Sequence, residues 1–263
     1  MATKILGYIS KKINQFRFKF LNRGLSQNQI AISKGIILNV HSDAYYAFRY
    51  FTDFDEDMIK EMKSFISLTN GKKCFLDIGA HYGIFSLVFS SNVNTLALAL
   101  DPSPSACRML EHHQELNPKC HIQSFQLAIG DSEGKLQMQP DVYDHFTMTK
   151  SDISVVDKLV EVDVTTIDSF IALNNIMPDV IKIDTEGFEL NVLRGGIKFF
   201  ESCNPMIFLE VHPDFLRQLG YSLEELVALL TQLNYKLYDL DFKLIQNPLS
   251  YLGQDIRRII CCK

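Results

Sequence analysis

Carboxylates, glycines and one histidine recur where short apolar runs end. Phe75, Leu76 and Ile78 surround Asp77 and lead into Gly79 and Gly83, and Thr95–Leu100 ends at Asp101. A run near Ile122–Ala128 precedes Ile129, Gly130 and Asp131. Val180–Ile183 is followed by Asp184 and Glu186, and Pro205–Leu209 by Glu210 and His212. A glycine turn lets backbone approach a ligand closely and aims a helix N terminus at it. Asp101 lies 24 residues after Asp77, where an acid can accept hydrogen bonds from both hydroxyls of a ribose. Asp184, Glu186 and Glu189 crowd one strand end, and mutual repulsion there can raise one carboxylate toward the range of a base. Asp184 is the first candidate for that base; Glu186, Glu210, His212 and His145 are the others. Simpler roles compete: Asp101 as a turn residue beside two prolines, and Asp184, Glu186 and Glu189 as helix caps. Three carboxylates with His212 could also ligate a divalent metal, although no spacing demands one.

These residues need a frame that brings strand ends together. Strands alternate with helical periodicity along the chain, which predicts an α/β fold with a doubly wound, mostly parallel, Rossmann-like sheet. Ligands bind such sheets at the carboxyl ends of the strands. The helix over Asp55–Leu68 is capped by Asp53 or Asp55, and Ser103 with Pro104 starts one that runs to about Asn117. Asp168 starts a short helix, and Ser222 with Glu225 forms a capping box. Residues 132–168 break the rhythm and read as an inserted β-hairpin or flap holding Tyr143, His145 and Lys150. Tyr235–Phe242 and Arg257–Cys261 read as a closing antiparallel pair.

The net charge of −5 conceals an uneven distribution. Residues 1–42 carry seven basic side chains and no acidic one, leaving 19 basic against 31 acidic residues in the remainder. That acidic body argues against nucleic acid as a partner. In the arm, Ile5, Ile9, Ile13, Phe16 and Phe20 recur at helical spacing beside lysines, although Phe16–Phe20 also alternates like a strand. A basic amphipathic helix of this kind suits either packing on its own domain or peripheral contact of residues 1–24 with an anionic membrane. No apolar run reaches the ~20 residues of a membrane span, and six cysteines without a C-x-x-C pair suggest a reduced, cytoplasmic setting. Oligomeric state leaves no mark in the sequence.

Gly79 and Gly83 are separated by Ala80, His81 and Tyr82, so the G-x-G-x-x-G dinucleotide fingerprint is absent. A nicotinamide-dependent oxidoreductase is thereby disfavoured. The D-x-G-x-x-x-G pattern instead resembles the first motif of class I S-adenosylmethionine-dependent methyltransferases, and the likeness narrows to the FkbM family. FLDIGAHYGIFSL (75–87) resembles that family's first motif, usually written with asparagine where His81 stands. LDPSPSACRMLEHHQELN (100–117) is similar to its second motif, with Asp101 for the commoner Glu. AIGDSEG (128–134), VTTIDSF with DVIKIDTEGFELNVLRGG (164–196) and PMIFLEVHP (205–213) complete a likeness over roughly 72–240.

The resemblance implies a methyltransferase domain over 51–263 preceded by a basic arm over 1–50, with S-adenosylmethionine as cofactor. It implies a cradle of Asp77, Gly79, Ala80, His81 and Gly83, with Asp101 and Pro102 at the ribose. Asp131 or the backbone near Ala128–Ile129 would meet the adenine, and Asp184 counts among the cofactor-binding residues. It also suggests O-methylation of a sugar, glycolipid, polysaccharide or secondary-metabolite hydroxyl. The alternative is a catalytically inactive scaffold that keeps the cofactor fold, against which the carboxylates near Asp184 weigh.

Overall fold

The computed structural model describes residues 2–138, 160–253 and 255–263, and of residues 2–11, Phe54 and Val160 the backbone only. His145, Tyr143 and Lys150 lie outside the described residues. In chain order, α1 (Ala2–Leu21) precedes a hairpin of β1 (Gln29–Ser33) and β2 (Ile36–Asn39), then α2 (Ser42–Arg49). A π turn over Tyr50–Phe54 leads to α3 (Glu56–Leu68). The body continues with β3 (Cys74–Ile78), α4 (Ile84–Ser90), β4 (Leu96–Asp101), α5 (Pro104–Leu116) and β5 (Ile122–Gln126). After β6 (Ala128–Ile129), β7 (Gly134–Met138) and β8 (Val160–Thr165) come α6 (Ile167–Asn174), β9 (Val180–Ile183), α7 (Glu189–Arg194) and α8 (Ile197–Ser202). The chain closes with β10 (Met206–Val211), α9 (Pro213–Gln218), α10 (Leu223–Gln232), β11 (Lys236–Tyr238), α11 (Pro248–Leu252) and β12 (Arg257–Cys262).

Seven strands form the main sheet in the order β11-β12-β10-β9-β3-β4-β5. All pairings from β10 to β5 are parallel, and β12 runs antiparallel to both β10 and β11. The order reverses between β3 and β9, and such a switch point opens a crevice at the strands' carboxyl ends. Side chains alternate between two cores. Leu76, Ile78, Ile181, Ile183, Ile207 and Leu209 face the helices after β5. Phe75, Val180, Phe208 and Ile260 face a second layer built from α1–α4.

Phe65 locks α3 onto that second face, its ring centroid 5.1 Å from Phe75, 5.0 Å from Phe85 and 5.2 Å from Phe208. Edge-on aromatic packing of this kind adds to area burial. The expected caps are present: Asp55 accepts from Met58 N–H, Ser103 from Ala106 N–H with Pro104 in the first turn, and Ser222 and Glu225 form the reciprocal box. Asp53 does not cap α3; it pairs with Arg49 at 2.5 Å.

Of the two readings of Phe16–Phe20 the helix is the one that forms, with Phe18 turned inward against the Arg49 guanidinium at 4.7 Å. Two local expectations change. The strand near Ile122–Ala128 divides: Leu127 N–H bonds to the Asp101 carbonyl at 3.2 Å, and Ala128–Ile129 then pair with Val164–Thr165 in a separate sheet. In that sheet β7 and β8 form the antiparallel arms expected of the insertion. Thr166, not Asp168, caps α6; the Asp168 carboxylate accepts the N–H groups of Lys198 and Phe199 and so caps α8.

Candidate functional site

The turn after β3 is held by its neighbours. Gly79 N–H and Ala80 N–H both donate to the Leu100 carbonyl, at 2.9 and 3.0 Å, and Gly83 N–H donates to Ala80. Gly79 and Gly83 both have φ of 78°, a region that side chains resist. A Cβ on Gly79 would lie 1.8 Å from the Asp184 carbonyl oxygen, so the turn can pass the end of β9 only as glycine. His81 also adopts a left-handed φ, 48°, where Asn is favoured among larger residues. Its ring is exposed and stacks on Tyr82 at 3.8 Å.

Asp101 ties this turn to the end of β4. Its Oδ2 accepts from His81 N–H at 2.8 Å and its Oδ1 from Ser103 N–H at 2.9 Å. Asp101 thus serves as a structural bridge between the glycine turn and the start of α5. Asp131 accepts from Asn191 Nδ2 at 3.0 Å, and Asn191 also donates to the Tyr221 hydroxyl at 2.9 Å, which fixes the loop after β6 against α7.

Period-two alternation explains the rest of the site. Asp77 pairs in register with Lys182, and Glu210 with Arg258, so four charged side chains of β3, β9, β10 and β12 share the face beneath α3 and α4. Asp184, two residues past Lys182, continues that row. Lys182 Nζ lies 2.7 Å from Asp184 and sits over the Phe85 ring at 4.9 Å. Arg258 reaches Glu210 at 2.7 Å and Glu61 of α3 at 3.1 Å. Ser86 of α4 donates to Asp77 Oδ2 at 2.7 Å, while Asp77 Oδ1 is buried without a hydrogen-bond partner. At the end of β10, His212 Nδ1 meets Glu189 Oε1 at 2.8 Å, and that oxygen also accepts Gly187 N–H at 2.9 Å. His212 Nε2 faces Glu210 at 3.7 Å.

Four carboxylates (Glu61, Asp77, Asp184, Glu210) thus surround two permanent cations, Lys182 and Arg258. Burial and the Asp184 charge raise Glu210 well above the usual carboxylate range, and burial also raises Glu61. Burial pushes Asp77 to about 6. Burial would raise Asp184 too, but the Lys182 charge and hydrogen bond outweigh it and hold Asp184 at about 2. Lys182 loses affinity for its proton through burial and regains more from Asp184, Glu61, Glu210 and Asp77, so it stays charged. Asp184, Glu210 and His212 each offer a ligand atom within 4.8 Å of the others. Their types suit a divalent cation, but both carboxylates already have buried counter-ions.

The structure therefore gathers Asp77, Gly79, Ala80, His81, Gly83, Asp101 and Asp184 at adjoining strand ends, with Pro102, Ala128, Ile129 and Asp131 beside them. The raised carboxylate expected at Asp184 is instead Glu210; Asp184 is the most firmly ionised of the set because Lys182 is its neighbour. Glu186 stands exposed on the turn, with φ of 48°. Glu189 does act at the start of its helix, yet the same oxygen holds His212. Glu61 and Arg258 are absent from the expected set. Glu61 has a sequence signal, since it lies three residues after Met58 and four before Phe65 on an apolar stripe. Arg258 has none: an arginine near the start of a strand is ordinary.

Comparison with known proteins adds the following. The family model described as "Methyltransferase FkbM domain" matches residues 77–237. No curated protein matches the chain. Among solved structures, the FkbM methyltransferase of Methylobacillus flagellatus KT is similar at 15% identity and a TM-score of 0.46, over 73% of this chain and 44% of that one. This chain therefore spans less than half the length of that relative. A precorrin-6y C5,15-methyltransferase from Geobacter metallireducens GS-15 is similar at 12% identity and a TM-score of 0.44, over 76% and 86% of the two chains. A TehB-like S-adenosylmethionine-dependent methyltransferase from Corynebacterium glutamicum ATCC 13032 Kitasato has 11% identity and a TM-score of 0.43, over 84% and 97%.

Proposed function

The chain belongs to the FkbM methyltransferase family, and from that membership we propose that it methylates a hydroxyl of a sugar, glycolipid, polysaccharide or secondary metabolite, using S-adenosylmethionine. The bound cofactor supplies a methyl carbon already activated on a sulfonium centre. What remains for the protein is to orient two reactants, exclude water and remove the hydroxyl proton. The residues present suit that cofactor. Gly79 lets the turn pass the end of β9, where a Cβ would collide with the Asp184 carbonyl, Asp101 holds that turn at the end of β4, and ionised Asp184 places a negative charge beside it.

The observation that carries the hydroxyl reading is the buried pair of His212 and Glu189. With Nδ1–H donated to Glu189, the neutral imidazole presents its lone pair at Nε2, on the side of Glu210 and Asp184. His212 takes the acceptor's proton there, and Glu189 and ionised Asp184 stabilise the imidazolium that results. Asp184, held at about 2 by Lys182, is too weak a base for that step. An open cleft of about 590 Å³ runs along Arg258, lined by Asp57, Lys60, Asp239, Asn247 and Tyr251. Carboxylate, amide and aromatic groups of this kind suit a hydroxyl-rich acceptor.

Two measurements test the reading. Calorimetric titration with S-adenosylmethionine should show binding that Asp101→Ala abolishes; equal binding by the variant would remove Asp101 from the site. Turnover across a panel of saccharide, glycolipid and phenolic acceptors should fall roughly 10²–10³-fold in His212→Gln with cofactor affinity unchanged. Methyl ester or methylamine products, or an undiminished variant, would overturn the hydroxyl assignment.

A further inference from the structure

Among the described side chains of α1, those of residues 12–21, Phe18 fixes the helix to the body. Phe18 is 7% exposed and packs under Arg49. At the helix end Asn22 donates to the Phe18 carbonyl at 2.9 Å and accepts Ala31 N–H from β1 at 2.8 Å. At about 100° per residue, Ile13, Phe16 and Phe20 fall within a sector of about 60° on the side opposite Phe18. They are 60%, 75% and 69% exposed. By the same geometry Lys12 and Lys19 border the sector on one flank and Arg17 on the other. Isolated exposed apolar residues are ordinary, but an aligned stripe on one helix face marks an interaction surface.

We propose that α1 is a membrane-surface helix, which lies on an anionic lipid bilayer with Ile13, Phe16 and Phe20 in the headgroup–acyl boundary. The charge pattern selects this occupant. Seven basic and no acidic residues in 1–42 give α1 a positive setting, whereas the remainder of the chain is acidic. A second copy meeting this face through a two-fold axis would bring two basic helices together. Nucleic acid would leave two phenylalanines in water. Lipid accepts both features: acyl chains receive the stripe and anionic headgroups receive the flanking cations, whose long stems reach outward from it. None of the described helices is long and apolar enough to cross a membrane, so this contact is lateral.

The inference stands apart from the methyl-transfer reading and is tested without it. Full-length protein is sedimented with vesicles of phosphatidylcholine alone and of phosphatidylcholine mixed with phosphatidylglycerol. Binding is expected to the mixed vesicles and to weaken as salt is raised. The double substitution Phe16→Ser/Phe20→Ser should lower partitioning roughly tenfold or more, and Lys12→Glu/Lys19→Glu should do the same. Both variants keep the wild-type Tm, because Phe18, which anchors the helix, is untouched. Equal partitioning of wild type and the phenylalanine variant would overturn the proposal, as would absence of binding to the mixed vesicles. So would a lipid-free dimer, seen by analytical ultracentrifugation, that the serine substitutions dissolve.

Discussion

At Gly79 two constraints coincide: a φ of 78° and a neighbouring carbonyl oxygen 1.8 Å from where a Cβ would stand. Neither can relax alone, since the oxygen belongs to Asp184 at the end of a buried strand whose N–H is bonded to the Ile78 carbonyl at 3.0 Å. Gly79→Ala should therefore cost roughly 2–4 kcal/mol by urea unfolding and abolish cofactor binding. A stable variant with native affinity would mean that the turn is more plastic than its hydrogen bonds imply. Gly79 is legible in the sequence because spacing alone marks it. The proton acceptor is not. Residue type brings Asp184, Glu210 and His212 forward together, but what separates them is the identity of their neighbours: Lys182 for one, Arg258 for another, Glu189 for the third. Those pairings span four different elements.

Elements with strong periodicity and caps are legible almost to the residue. Val180–Ile183, Ser103 with Pro104, and the Ser222–Glu225 box belong to this group. The hairpin β1–β2 and helix α8 are harder: Ile36–Asn39 is four residues long, and α8 follows two glycines that signal an end. Helix α3 shows how an element carries function without holding a motif. Its docking through Phe65 places Glu61, one turn earlier, over Arg258. Phe65→Ala should cost about 3–5 kcal/mol in chemical denaturation, with the m-value unchanged if two-state unfolding holds. A loss below about 1 kcal/mol would show that the ring cluster repacks around the gap.

At the scale of the molecule, the N-terminal segment and the glycine turn are joined through one imidazole. His113 Nδ1 donates to the Tyr82 carbonyl at 2.8 Å, and its Nε2 accepts His41 N–H at 3.1 Å. Both ring nitrogens are committed, so the neutral form is required. Burial lowers His113 to about 4 from an ordinary 6.5. Between those values the unfolded chain binds a proton that the folded chain refuses, so this residue's contribution, about 3 kcal/mol, is lost as pH falls through that window. Asp77 acts with the opposite sign: folded it holds its proton up to about 6, unfolded only to 3.8, so its effect favours the folded state as pH falls. The comparison must therefore be differential. The stability gap between wild type and His113→Gln should shrink by about 3 kcal/mol from pH 7 to pH 4. A gap independent of pH would mean that the folded protein accommodates the imidazolium.

The buried charges also bear on modular inheritance. The matched family region covers residues 77–237, and Glu210 lies within it. The guanidinium that balances Glu210, and the carboxylate that balances that guanidinium in turn, are Arg258 and Glu61, one beyond each boundary. The catalytic module is thus not electrically self-contained. A chimaera that carried only 77–237 onto a foreign frame would bring Glu210 without its guanidinium, on a strand that has also lost its β12 neighbour. A working transplant is expected to need both flanks with the middle, or all three positions rewritten at once.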